Sequence, residues 1–186
     1  MPKAIRFYAT GGPEVLQYGE IATPEPGPGE LRIRVAYAGV NPADWKNRQG
    51  MLAAFRPYAF PYIIGFDAAG VVDKLGEGVR GFKVGDRVFT PTNHGQGGQG
   101  SYAQFAIASE DRVAHMPAGL GFAAAAALPV AALTAWQGLF DRGELKAGQR
   151  ALAHSATAEA VAQLTLGQEL LETLAEGEGR HHAELD

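Results

Sequence analysis

The chain has 186 residues, 46% of them hydrophobic and 19% charged, with a formal net charge of −4. That is the composition of a folded globular chain, of a length suited to one ordinary domain plus an appendage. There is no cysteine, which excludes disulfides, thiolate zinc sites and a cysteine nucleophile. No run of 18 apolar residues predicts a membrane span. The opening "MPKAIRFYATGG" lacks the apolar core of a signal peptide, so a cytoplasmic location is expected. The acidic balance, without a Lys/Arg stripe, argues against nucleic acid as a partner.

Charge and punctuation divide the chain. Residues 1–154 carry 15 basic and 13 acidic side chains, whereas residues 155–186 carry one basic residue, Arg180, and seven acids. Of the 25 glycines, 19 lie at or before Gly121, and 10 of the 11 prolines precede it. A Gly/Pro-dense region with short apolar runs predicts strands and turns. The expected organisation is a β domain over 1–121, a helical segment over 122–154 and an acidic helical tail over 155–186.

In chain order, "AIRFYAT" (4–10) and "LQYGEIA" (16–22) read as strands. "TPEPGPGE" (23–30) is a rigid connection that cannot join a central ladder. In "ELRIRVAYAGV" (30–40), Leu31, Ile33, Val35 and Tyr37 alternate with Arg32, Arg34 and Ala36, the period of a half-buried strand. Further strands are expected in "GFDAAGVVDKLG" (65–76), "VGDRVFT" (84–90) and "SYAQFAIA" (101–108). "NHGQGGQGSYAQ" (93–104) is glycine-dense but lacks the G-x-x-x-x-G-K-[ST] phosphate motif, and reads as a flexible loop.

From residue 122 the texture turns helical. "FAAAAALPVAALTAWQGLFDRG" (122–143) is alanine-rich, with Pro129 expected to divide it and Gly143 to stop it. Residues 150–154 read as a brief strand. Residues 158–176 read as helix, with Val161, Leu164, Leu170, Leu171 and Leu174 roughly on one face. Thr165 and Gln168 have capping-box spacing, so a second helix is expected to start there.

Several phrases, in their order and spacing, carry a resemblance: "GGPEVLQY" (11–18), "AGVNPADWKNRQG" (38–50), "PYIIGFDAAGVVDKLGEGVRGFKVGDRVF" (61–89), "GSYAQFAIA" (100–108) and "AALPVAALTAWQGLFDRGELKAGQR" (126–150). In these the chain resembles the medium-chain dehydrogenase/reductase (alcohol dehydrogenase-like) family, in its zinc-independent quinone oxidoreductase branch. The resemblance implies a mainly β fold with helices, a GroES-like, partly open β-barrel serving as substrate domain. It also implies a following Rossmann domain that binds NADPH, a cleft between the two as active site, and a quinone or enone substrate.

The resemblance further assigns residues. Asn41 and Asp44 take the catalytic positions, and Asn41 and Thr134 contact the cofactor. Residue chemistry alone leaves alternatives: Asn41-Pro42 is also a turn with an Asx hydrogen bond, and Thr134 also back-bonds within a helix. Trp45 either walls the cleft or is core. Tyr58 and Tyr62 flank the cleft side in the resemblance, but neither has an activating neighbour in sequence and neither receives a role. In the zinc-dependent members a Cys stands where this chain has Asn41, and a His-Glu pair where it has Phe66 and Asp67. A catalytic zinc needs about three protein ligands, so no metal is expected. The adjacent His181 and His182 read as an exposed pair.

The family pattern stops at "ALAHSATAEAVAQL" (151–164). The family's glycines at this turn let the backbone approach a pyrophosphate at a helix start. Here no glycine lies between Gly148 and Gly167, and Glu159 places a carboxylate in the expected first turn. A Rossmann half needs several βαβ units of roughly 30 residues each, and 155–186 is too short for them. The expectation is therefore a substrate domain without its nucleotide domain, inactive alone and unable to hold NADPH tightly. The alternative is a non-enzymatic GroES-like binding or self-assembling module, with a homodimer through residues 122–142 and the 158–176 helix.

Overall fold

The computed structural model describes residues 1–54, 58–92 and 100–146. The expected brief strand at 150–154, the glycine-free turn and the tail helices lie outside the described residues, as do His181 and His182. The chain divides into two compact units, 1–129 and 130–186.

The first unit is mainly β. Its strands are β1 (Lys3–Phe7), β2 (Gln17–Glu20), β3 (Glu30–Gly39), β4 (Tyr62–Ile63), β5 (Asp67–Leu75), β6 (Arg87–Pro91), β7 (Phe105–Ser109) and β8 (Ala114–His115). They form two open sheets, ordered β2-β1-β4 and β7-β3-β5-β6-β8. Every pairing is antiparallel. The sheets are stitched where Ile5 donates to the Tyr102 carbonyl at 2.8 Å and Gln104 to the Lys3 carbonyl at 3.0 Å.

The main core lies under the larger sheet. Leu31, Ile33, Val72, Val88 and Ala108 pack together, flanked by Leu75, Val79, Phe82 and Val113. Burying each large aliphatic side chain contributes about 1.5–3 kcal/mol. A second cluster of Phe7, Tyr62 and Ile64 gathers Tyr58 and Tyr102.

The alternation expected along β3 holds only for its first half. Leu31 and Ile33 are fully buried, whereas Tyr37 is 55% exposed. The pairing of β3 with β5 shifts register between Val35 and Tyr37, and such an irregularity re-aims every later side chain.

Two short helices belong with this unit. Helix α1 (Pro42–Arg48) starts at the Asn41-Pro42 step, the step that also reads as a turn, and extends over residues for which no element was expected. Proline at the first helical position is compatible with helix because its missing N–H would be unsatisfied there anyway. Helix α2 (Phe122–Ala126) packs on β3, β5 and β6. Arg87 anchors its start, donating to the Leu120 carbonyl at 2.8 Å and lying 4.7 Å from the Phe122 ring centroid. The alanine-rich stretch does break at Pro129. Helix α3 (Pro129–Trp136) begins there and widens into a π-type turn over Gln137–Arg142. The Gly143 N–H closes that turn on the Gly138 carbonyl at 3.0 Å. No helix among the described residues is long and apolar enough to cross a membrane.

Candidate active site

Asn41 stands between the end of β3 and the start of α1, in extended conformation. Its backbone N–H donates to Asp44 Oδ2 at 2.7 Å, one half of a capping box. The Asn41 side chain faces the Asp44 N–H in the other, looser half. The Asn41 side-chain amide also donates to Asp67 Oδ2 at 2.8 Å. Two carboxylates therefore hold one asparagine, through its main chain and through its side chain.

Each carboxylate comes from a different element and each is buried. Asp44 is 3% exposed and Asp67, at the first position of β5, 1%. Tyr102, just before β7, donates its hydroxyl to Asp44 Oδ2 at 3.3 Å. Burial pushes the Asp44 carboxyl up to about 6. The Asn41 N–H, the Tyr102 hydroxyl and the peptide groups of Phe66 and Gly65 oppose that rise without cancelling it. Asp44 Oδ1 is buried with no hydrogen-bond partner among the described residues. The Tyr102 hydroxyl is itself raised, first by burial and then by the charge of Asp44.

Two glycines make this geometry possible. A Cβ on Gly39 would meet the Ala126 carbonyl of α2 and lie 3.0 Å from Asp67 Cβ. Gly65 has φ +114°, a conformation that side-chain-bearing residues rarely adopt, and a Cβ there would lie 2.8 Å from the Tyr102 N. Three bonds then tie residues 63–65 to 100–102: Gly100 N–H to the Ile63 carbonyl (3.0 Å), Ser101 N–H to Gly65 (3.1 Å) and Tyr102 N–H to Ile64 (2.9 Å). The Thr92 hydroxyl also donates to the Gly65 carbonyl, at 2.9 Å. The backbone carrying Tyr102 is thus fixed against the backbone entering β5.

The structure brings Asn41 and Asp44 together. Thr134 lies on α3, exposed, in the second unit. Trp45 follows Asp44 and is 43% exposed, so it is not core. Tyr58 and Tyr62 are engaged on α1: Tyr58 donates to the Asn47 carbonyl at 2.6 Å, and Tyr62 accepts from the Asn47 amide at 3.0 Å. No group of three or more His, Cys, Asp or Glu side chains suited to a metal occurs among the described residues.

The comparisons with known proteins agree with this architecture. Residues 27–118, from the approach to β3 through β8, match the alcohol dehydrogenase GroES-like domain. Over 136 residues the chain is 40% identical to the chloroplastic quinone-oxidoreductase homolog of Spinacia oleracea, covering 73% of this chain and 41% of that protein. Over 156 residues it is 38% identical to the quinone oxidoreductase of Mus musculus, covering 83% and 45%. This chain belongs to the medium-chain dehydrogenase/reductase family. Among solved members, the quinone oxidoreductase of Coxiella burnetii superposes with a TM-score of 0.77 at 30% identity, over 99% of this chain and 55% of that one. A mycobacterial protein complexed with NADPH superposes with a TM-score of 0.72 at 33% identity, over 82% and 44%. The chain spans less than half the length of the two curated relatives, and its described residues are the GroES-like part of the family plan and the helical segment after it.

Within that family plan, Tyr102 and the role of Asp67 escape a reading of motifs. Asp67 leaves a trace in the sequence, as a lone acid in the apolar run "PYIIGFDAAGVV". Buried acids need partners, so such a residue points to a polar contact even when the contact lies elsewhere in the chain. Tyr102 leaves no comparable trace.

Proposed function

We propose that this chain is the substrate domain of an NADPH-dependent quinone or enone oxidoreductase of the zinc-independent type. The observation that carries the reading is the Asn41 side chain, half-buried and held by Asp67 at 2.8 Å. In this reading Asn41 and Asp44 serve at the reacting centre, and Asn41 and Thr134 each take, by resemblance, a cofactor-contact position. The absence of zinc is part of the proposal. By resemblance, Asn41, Phe66 and Asp67 occupy the positions that carry Cys, His and Glu in zinc-dependent members. Asn41 and Asp67 hydrogen-bond one another instead.

A nicotinamide fits on one side only. Asn41 offers an oriented carboxamide, suited to the ring's own amide. For the phosphates, the sequence speaks against a fit: residues 149–166 contain no glycine, and Glu159 adds an acid to the segment that by resemblance would carry the phosphate-binding turn. The bound cofactor would supply hydride to an electrophilic carbon of the substrate, while the protein supplies position and hydrogen bonds. We therefore propose that this chain alone does not turn over and holds NADPH poorly. Fluorescence titration of the purified chain with NADPH tests this directly. Saturation in the micromolar range would overturn it.

A second reading, a binding or self-assembling module, is favoured by one observation. Leu133 and Trp136 on α3 are 47% and 42% exposed. In that reading a second copy covers residues 122–142 together with the 158–176 segment. Light scattering discriminates the two: a monodisperse monomer removes the self-assembling reading.

A further inference from the structure

We propose that Asp67 is a positioning residue that acts on a quinone ligand through Asn41. The proposal rests on the substrate-domain reading above. A free asparagine side chain can rotate and can exchange its carbonyl and amide ends, so it has no fixed donor direction. Here the amide end is fixed. Its nitrogen lies 2.8 Å from Asp67 Oδ2, and an amide facing a carboxylate can present only its N–H groups.

The anchor itself has no room to shift. Asp67 is 1% exposed and pairs, across β5, with Gly39 of β3 and Pro91 of β6. Gly39 leaves just enough space, since a Cβ there would lie 3.2 Å from Asp67 Oδ2. Asp44 adds the complementary restraint by holding the Asn41 main chain at 2.7 Å. With χ1 and χ2 of Asn41 restrained, its amide hydrogen not facing Asp67 has one direction. That is the donor suited to a quinone carbonyl oxygen.

The test uses the full chain, labelled with 15N, and tetramethyl-1,4-benzoquinone as the probe. Quinone affinity is read from chemical-shift titration for the wild type, Asp67→Asn, Asn41→Ala and the double variant. The Asn41 side-chain amide signal is followed in the wild type and Asp67→Asn. We expect Asp67→Asn to weaken quinone binding by about tenfold, the loss of one charge-assisted bond. We expect no further weakening when the same change is made on Asn41→Ala. The Asn41 amide signals should move upfield in Asp67→Asn, in a spectrum otherwise that of the folded wild type. Additive losses in the double variant would overturn the proposal, because Asp67 would then act independently of Asn41. Unchanged Asn41 amide signals in Asp67→Asn would overturn it as well, even if that variant were less stable. If the wild type binds no quinone, the substrate-domain reading fails, and the amide signals alone decide whether Asp67 holds Asn41.

Discussion

The Tyr102 hydroxyl meets Asp44 Oδ2 at 3.3 Å across 58 residues of sequence. The carboxylate it meets is buried and carries a pKa pushed up to about 6. The pair joins the segment before β7 to the first turn of α1, and it does so through a group whose charge changes near neutral pH.

The first prediction concerns that charge. Burial makes ionised Asp44 the costly form, so its pKa is higher in the folded chain than in the unfolded one. The stability contributed by its protonated form is fully present below about pH 4, the ordinary aspartate range. It is lost as the pH rises through about 6. A shift of about two pH units corresponds to at most about 3 kcal/mol. Asp44→Asn removes the ionisation. Its Tm relative to wild type should therefore rise between pH 4 and pH 7 and level off above. A difference that does not vary with pH would show that Asp44 is not strained by its charge.

Tyr102→Phe removes the hydroxyl and leaves the ring packed on Phe7, Tyr62 and Ile64. The expected loss is about 1 kcal/mol, that of one hydrogen bond of ordinary strength. The Tyr102 hydroxyl lowers the Asp44 pKa, so its removal should raise that pKa above 6. A carbon-13 titration of the Asp44 carboxyl in both proteins measures that change. A pKa that falls would contradict the hydrogen bond.

Gly39→Ala tests the close approach of α2 to the site. The new methyl would meet the Ala126 carbonyl and Asp67 Cβ, both of them parts of the packed backbone or its first side-chain atom. Overpacking of this kind costs about 1–3 kcal/mol. Urea unfolding should show a lower midpoint with an unchanged slope.

The register shift in β3 makes a paired prediction. Ile33→Ala should cost about 2–5 kcal/mol, because Ile33 is fully buried in the main core. Tyr37→Ala, at 55% exposure, should stay within about 0.5 kcal/mol of wild type. Equal losses at the two positions would mean that the alternation continues unbroken along the strand.

That contrast shows where residue patterns inform and where they stop. Leu31 and Ile33 are legible because a period of two is a local property of a strand. Tyr37 is not, because the shift that exposes it depends on how β5 pairs alongside. Pro129 is legible as a break for local reasons too. Helix α1 is not legible in the same way, because Asn41-Pro42 signals a turn and a helix start equally well. Strands β4 and β8 are two residues long and exist only through their partners. At the site, Asn41 and Asp44 came from motif resemblance, and their capping relation is local. Asp67 and Tyr102 join them only through pairings 26 and 58 residues apart. Thr134, by contrast, is placed by the helix that holds it and by nothing else described.

The stitch between the two sheets has a consequence for how the site is born. Lys3 and Ile5 bond to Gln104 and Tyr102, and the Lys3 N–H also reaches the Gln104 side chain across 101 positions. The ribosome releases the first strand long before its partner exists. Contacts this distant close late, since the loop entropy must be overcome before they form. Tyr102 therefore cannot settle on Asp44 until most of the β unit has left the exit tunnel. During that interval β1 must find temporary company in β2, its hairpin neighbour, with Phe7 still facing water.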